Sequence, residues 1–243
     1  MWKVISPRMA RESAETLQYT LNHFHPIEEE IKINWGNSGF NANDPREVFG
    51  NKCEAVYRSA RKDVFFQLCK KMGTVPVVKE EDEYSPGYFI HDDPTGHNGG
   101  GVRYLGVGEP HIVVLKAIQE GKLVTKQIKG TEYRVYFCYN MVPKIYMKVP
   151  LTEDTPENPI QNSHNGYGYL SNPPSLKRIE NLKEILLSST KEVADKLELS
   201  YGAIDFIVST DYTVYILESN SAPTLFSEEL VDGFAEHIAR RFK

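Results

Sequence analysis

The chain has 243 residues, 40% of them hydrophobic and 25% charged, with a formal net charge of −5. That acidic balance argues against a broad nucleic-acid footprint, and no run approaches the roughly 18 apolar residues of a membrane span. The length suits one large domain or two small ones packed together.

The opening "MWKVISPRMARES" lacks the apolar region of a secretory signal, and Cys53, Cys69 and Cys138 have no metal-ligand spacing. A cytoplasmic protein with reduced thiols is the expectation. "WKVIS" predicts a strand and "SAETLQYTLNHF" a helix with Ala14, Leu17 and Leu21 on one face. "IKINWGNSG" predicts a second strand running into a Gly/Asn turn, closing a β-α-β-like unit near residue 50. "EAVYRSARKDVFFQLCKKM" predicts one continuous helix, and "TVPVVKE" a strand after it. "GYFIHD" predicts another strand, ending at the turn-rich "DDPTGHNGGG".

"LVTKQI", "TEYRVYFCYN" and "VPKIYMKVP" predict three more strands. Residues 151–174 form a polar stretch rich in Pro and Asn, and a loop of that length is more often functional than idle. "SLKRIENLKEILLSSTKEVADKLEL" carries apolar residues at helical spacing from Leu176 to Leu197. The strands "YGAIDFIVS" and "TVYILES" follow, then a closing helix, "SEELVDGFAEHIARRF". Several adjacent strands favour an α+β fold over a doubly wound sheet.

The last two strands carry the chemistry. Paired as a hairpin with a two- or four-residue turn, they put Asp205 opposite position 216, on the face of Glu218 and Asn220. A three-residue loop would send Asp205 to the other face. Two carboxylates and an amide oxygen on one face are oxygen ligands for a hard cation such as Mg²⁺. Each taken singly reads as well as an ordinary strand-edge residue. Glu132, Arg134 and Tyr136 also share a face, because strand side chains alternate. The Arg134 fork suits a phosphate or carboxylate oxygen, with an ion pair to Glu132 as the alternative. Gly99, Gly100 and Gly101 let backbone N–H groups approach phosphate oxygens, or form a plain flexible hairpin tip.

"YGAIDFIV" followed by "TVYILESNSAPTL" resembles the C-terminal signature of ATP-grasp carboxylate–amine ligases. That signature is an acidic residue on one strand, then Glu-x-Asn, a small residue, Pro and Leu. The resemblance covers roughly residues 51–243. It implies two α+β subdomains, 51–125 with the Gly-rich loop and 126–243 with the metal site, behind a reduced unit at 1–50. It implies ATP and two Mg²⁺ ions, with Asp205, Glu218 and Asn220 as ligands and Glu218 bridging. Arg134 and Lys148 become the candidate catalytic residues, and Lys144 adds positive charge for ATP. His91, His97, Gly99, Gly100 and Gly101 would close on the phosphates, and the backbone of Lys126, Gln127 and Ile128 would read adenine.

The implied function is ATP-dependent joining of a carboxylate to an amine through an acyl phosphate, releasing ADP and phosphate. The substrates would be small molecules or peptides, with His164, Asn165 and Tyr167 of the long loop as contacts; a solvated excursion is the alternative for that loop. Two positions depart from the family pattern. Thr224 stands where many members have Gly, and His91 where related ligases usually carry Lys or Arg. Nearby phosphates would favour protonated His91, which could then serve in their place. A nucleotide-binding or structural module that kept the fold and lost turnover is the rival that His91 keeps open. The "NWGNS" turn resembles one in ligase-like proteins of tailed bacteriophages, which implies a viral protein acting in a host cytoplasm.

Overall fold

The computed structural model describes residues 1–39, 48–82, 87–95, 100–106, 111–155 and 159–242. Its strands fall into three sheets. The first is parallel, in the order β1 (Trp2–Ile5), β2 (Ile31–Asn34) and β3 (Val48–Gly50). Between β1 and β2 runs α1 (Arg11–Phe24), burying Ala14, Leu17 and Leu21 at the spacing that predicts a helix.

The second sheet is antiparallel, with β4 (Tyr88–His91) between β5 (Val102–Leu105) and β6 (Leu123–Lys126). The helix α4 (His111–Gln119) lays Val114 and Ala117 against Tyr88, Ile90 and Val124 to give it a small core.

The third sheet has five antiparallel strands in the order β11-β10-β7-β8-β9. They are β7 (Gly130–Cys138), β8 (Lys144–Pro150), β9 (Tyr167–Ser171), β10 (Tyr201–Ser209) and β11 (Val214–Asn220). Strand alternation makes one face apolar: Tyr133, Val135, Ile204, Phe206 and Ile216 are all buried. Two helices cover that face, α6 (Leu182–Leu197) through Leu186 and Val193 and α3 (Lys62–Cys69) through Phe65 and Phe66. Each such side chain contributes about 1.5–3 kcal/mol by leaving water.

On the opposite face, Tyr136, Tyr146 and Ala203 are covered by α7 (Glu228–Arg240) and the first sheet, with Trp35 stacked on Tyr201 and edge-on to Phe234. The rest of that face is polar and looks toward the second sheet across a cleft. No helix among the described residues is long and apolar enough to cross a membrane.

The α+β arrangement matches the sequence pattern, and five details correct it. The helix expected through residues 54–72 is two, α2 (Cys53–Ala60) and α3, because Arg61 turns extended and the Lys62 N–H goes to the Pro94 carbonyl at 2.9 Å. "TVPVVKE" forms only isolated bridges, Thr74 with Ile216 and Val77 with Thr125. The stretch 151–174 contains β9, an edge strand. α4, β3 and β5 were not expected. The long helix from Ser175 splits into α5 (Ser175–Arg178) and α6, with Asn181 left-handed at φ 57° between them. Asn tolerates that conformation better than most residues.

Candidate active site

Between β10 and β11 the Ser209 N–H is donated to the Thr213 carbonyl at 2.9 Å, and this pair closes a three-residue loop, 210–212. Tyr212 takes the left-handed conformation at φ 66°, as the last residue of a three-residue hairpin loop often does. This corrects the expected two- or four-residue turn. With an unbroken ladder, the pairs Val208–Val214 and Phe206–Ile216 would continue to Asp205–Leu217 and separate the two carboxylates. A β-bulge intervenes: the register shifts between Asp205 and Phe206, so Asp205 lies opposite Glu218 and Ala203 opposite Asn220. The extra residue, Leu217, restores the parity that the loop removes. Asp205, Glu218 and Asn220 share one face.

The row continues across the sheet. Asp205 pairs with Arg134 on β7, and on β8 and β9 Lys148 pairs with Tyr169. The Arg134 guanidinium grips both Asp205 oxygens, from Nε and Nη2 at 2.6 Å each, and lies 5.1 Å over the Tyr169 ring. Its alternative partner, Glu132, is bonded to Lys148 instead. From the start of α3, Lys62 donates to Glu218 Oε2 at 2.6 Å. Three carboxylates are thus matched by three bases on one wall of a cleft of about 460 Å³.

Electrostatics follows from that pairing. Burial pushes the Glu218 carboxyl up, but Lys62, backed by Arg134 and Lys148, outweighs it and holds the group well below the usual carboxylate range. For Glu132 burial wins over Lys148, and its carboxyl is raised. Arg134 stays protonated because Asp205 outweighs the penalty of burial.

His91 ends β4 on the other side of the cleft and is 8% exposed. Burial, then Lys62 close by, lowers its pKa to about 4, so the imidazole is neutral at ordinary pH. Lys62 brings a positive charge to this part of the cleft. Sequence reasoning missed Lys62. The signal was there: Val56, Ser59, Lys62, Phe66 and Cys69 follow helical spacing, so a lysine interrupts an otherwise buried stripe. Tyr169 and Phe226, stacked with ring centroids 5.1 Å apart at one end of the cleft, were also missed.

Several expected residues lie elsewhere. Lys144 is bonded to Glu229 of α7 at 2.5 Å and is not among the described residues lining the cleft. Lys126, Gln127 and Ile128 also stand outside that lining. The N–H groups of Lys126 and Gln127 are donated to Pro76 and Gly87 carbonyls at 2.9 and 2.8 Å, leaving the Ile128 N–H as the segment's donor among the described residues. Gly101, at φ 71°, shapes the turn between β4 and β5, where a Cβ would sit 2.6 Å from that of Asp93. Gly100 precedes it; His97 and Gly99 lie outside the described residues.

Of the loop residues, Tyr167 lines the cleft, with Asn162 and Ser163 nearby. His164 is exposed, and the Asn165 amide is tied to the Ile160 carbonyl at 2.6 Å. Asn220 Oδ1 accepts the Ala222 N–H at 3.0 Å and retains a second lone pair. No group of three His, Cys, Asp or Glu residues that could hold a metal converges among the described residues.

No protein-family model matches the chain, and no curated protein matches it in sequence. Solved structures do match its fold. D-alanyl-alanine synthetase A from Vibrio cholerae aligns with TM-score 0.65 at 14% identity, over 97% of this chain and 92% of that one. The D-alanine–D-alanine ligase from Bacillus anthracis, complexed with ATP, gives TM-score 0.62 at 14% identity, over 100% and 97%. The ATP-grasp ligase PsnB, complexed with a precursor variant, Mg and ADP, gives TM-score 0.66 at 10% identity, over 100% and 98%.

Proposed function

We propose that this chain, which has the ATP-grasp fold, is an ATP-dependent ligase that joins a carboxylate to an amine through an acyl phosphate, releasing ADP and phosphate. The observation that carries the proposal is the wall of three carboxylate–base pairs facing His91 across the cleft. A carboxylate is a poor acyl donor in water until phosphorylation gives it a leaving group. The protein's part in that transfer is positioning and charge compensation.

Asp205, Glu218 and Asn220 fit two Mg²⁺ ions as oxygen donors on adjacent strands, and bound Mg²⁺ would neutralise charge on the phosphates. Lys62 and Arg134 hold Glu218 and Asp205 in the meantime. On nucleotide entry the two bases would turn to phosphate oxygens, freeing the carboxylates to hold Mg²⁺. Such an exchange keeps every buried charge compensated throughout, which matters because an unpaired buried charge costs about 3–5 kcal/mol. Arg134, permanently cationic, faces the transferring phosphoryl group; Lys148 orients the substrate carboxylate, and Glu132 holds Lys148 in place. The Ile128 N–H reads the adenine edge, and Gly100 and Gly101, with His97 and Gly99, close on the phosphates.

The working division is 1–50, 51–125 and 126–243, with small-molecule or peptide carboxylates and amines entering past Tyr167 and the residues before it. The compartment proposed is the cytoplasm, that of a host cell if the protein is viral. The test is ADP release from Mg·ATP with pooled amino acids, amines and peptides. Equal amounts of ADP and phosphate should appear only when a carboxylate and an amine are both present. Tight nucleotide binding without release in any pool would favour the rival, a module that has lost turnover.

A further inference from the structure

Among the described residues, one buried side-chain nitrogen or oxygen has no hydrogen-bond partner: Nδ1 of His91. The ring lines the cleft, and its other nitrogen, Nε2, lies 3.2 Å from Thr125 Oγ1. Thr125 is 3% exposed, and its hydroxyl has no other hydrogen-bonding partner among the described residues. Two tautomers are open, and the hydrogen count separates them. With the proton on Nε2, Thr125 would accept it and its own hydroxyl hydrogen would be stranded. With Thr125 donating to Nε2, the hydroxyl is satisfied and the ring proton sits on Nδ1, one N–H without an acceptor inside a ligand-sized cleft.

A buried N–H in that state is unfavourable unless a bound molecule supplies an acceptor. Lys62 and Glu218 line the same cleft as the ring, and Asp92 follows it in the chain. An acceptor arriving beside a lysine and next to two carboxylates proposed to hold metal has the surroundings of a phosphate, not of a base edge. We infer that His91, held with its proton on Nδ1 by Thr125, donates a hydrogen bond to a phosphate oxygen of the bound nucleotide. The inference rests on the nucleotide reading of the cleft.

The test is calorimetric affinity at one pH for adenosine, ADP and a non-hydrolysable ATP analogue with Mg²⁺. His91→Phe keeps a ring against Phe66 but removes the donor, and should weaken ADP and the analogue about tenfold while leaving adenosine within twofold. His91→Asn places an amide N–H near the Nδ1 position and should restore most of the loss; His91→Gln, whose amide reaches toward Nε2, should not. Thr125→Val should weaken ADP less than His91→Phe does. In ligand-free wild type, ¹⁵N NMR should show a protonated Nδ1 and a bare Nε2.

Wild-type affinity for ADP in His91→Phe, an equal loss for adenosine, or a protonated Nε2 would each overturn the inference while the nucleotide site stands. Absence of any nucleotide binding by wild type would remove the site itself.

Discussion

Arg134 and Asp205 illustrate how much one pair can hold. Two nitrogens meet two oxygens at 2.6 Å with the pair almost wholly out of water. Arg134→Ala leaves Asp205 buried without its cation and should destabilise the protein by about 3–5 kcal/mol in urea unfolding. Arg134→Lys keeps the charge but loses the fork, so it should cost much less stability while abolishing ligation. Equal unfolding midpoints for the two variants would contradict this.

His91 gives a pH signature. Its pKa is about 4 in the fold, from burial and Lys62, against 6.5 for the free side chain. The unfolded chain therefore binds more protons between those values. His91 contributes stability that is full above about pH 6.5 and is lost as pH falls toward 4, in all about 3 kcal/mol. Wild type should lose that much more than His91→Phe over the same window; parallel stability curves would contradict it. The sequence marked Arg134, Asp205 and Glu218, because charged residues inside β-type runs stand out. It hid the partners: which base meets which carboxylate is decided by strand register and by Lys62, which arrives from another element.

Elements were legible where one face is buried and the period is clean, as in β7, β10 and α7. They were not where a distant contact overrides local preference. Arg61 breaks a good helical stripe because the next N–H finds Pro94, and the hairpin loop could not be counted without its compensating bulge. β9 was hidden because Tyr167 and Tyr169 alternate inside a Pro- and Asn-rich stretch.

One junction between elements is directly testable. Gly36, at φ 78° in the turn after β2, approaches the loop after β11 so closely that a Cβ would lie 2.5 Å from that of Ala222. Gly36→Ala should cost roughly 2 kcal/mol or more, from left-handed strain plus the clash. Adding Ala222→Gly should recover part of it, the part due to the clash. Strict additivity of the two substitutions would show that the turn and the loop do not meet.

At the scale of the whole molecule, the cleft joins two sheets whose own cores are separate, so its occupant should stabilise both. Mg·ADP at about 100 times its dissociation constant should add about 2.7 kcal/mol and raise the melting temperature. Glu218→Gln should lower the unliganded melting temperature, because it leaves Lys62 without its carboxylate, and should also lose most of the Mg-dependent rise. A full Mg-dependent rise in that variant would remove Glu218 from the metal site.

On the proposed reading, Lys62 and Arg134 give up Glu218 and Asp205 in exchange for phosphate oxygens when Mg·ATP enters. A crystal structure with Mg²⁺ and a non-hydrolysable ATP analogue tests it most directly. The predicted result has the phosphates between His91 and the large sheet, Mg²⁺ bonded to both Asp205 and Glu218, and Lys62 and Arg134 on phosphate oxygens. Nucleotide bound outside this cleft, or phosphates inside it with both ion pairs intact and no metal on either carboxylate, would contradict it.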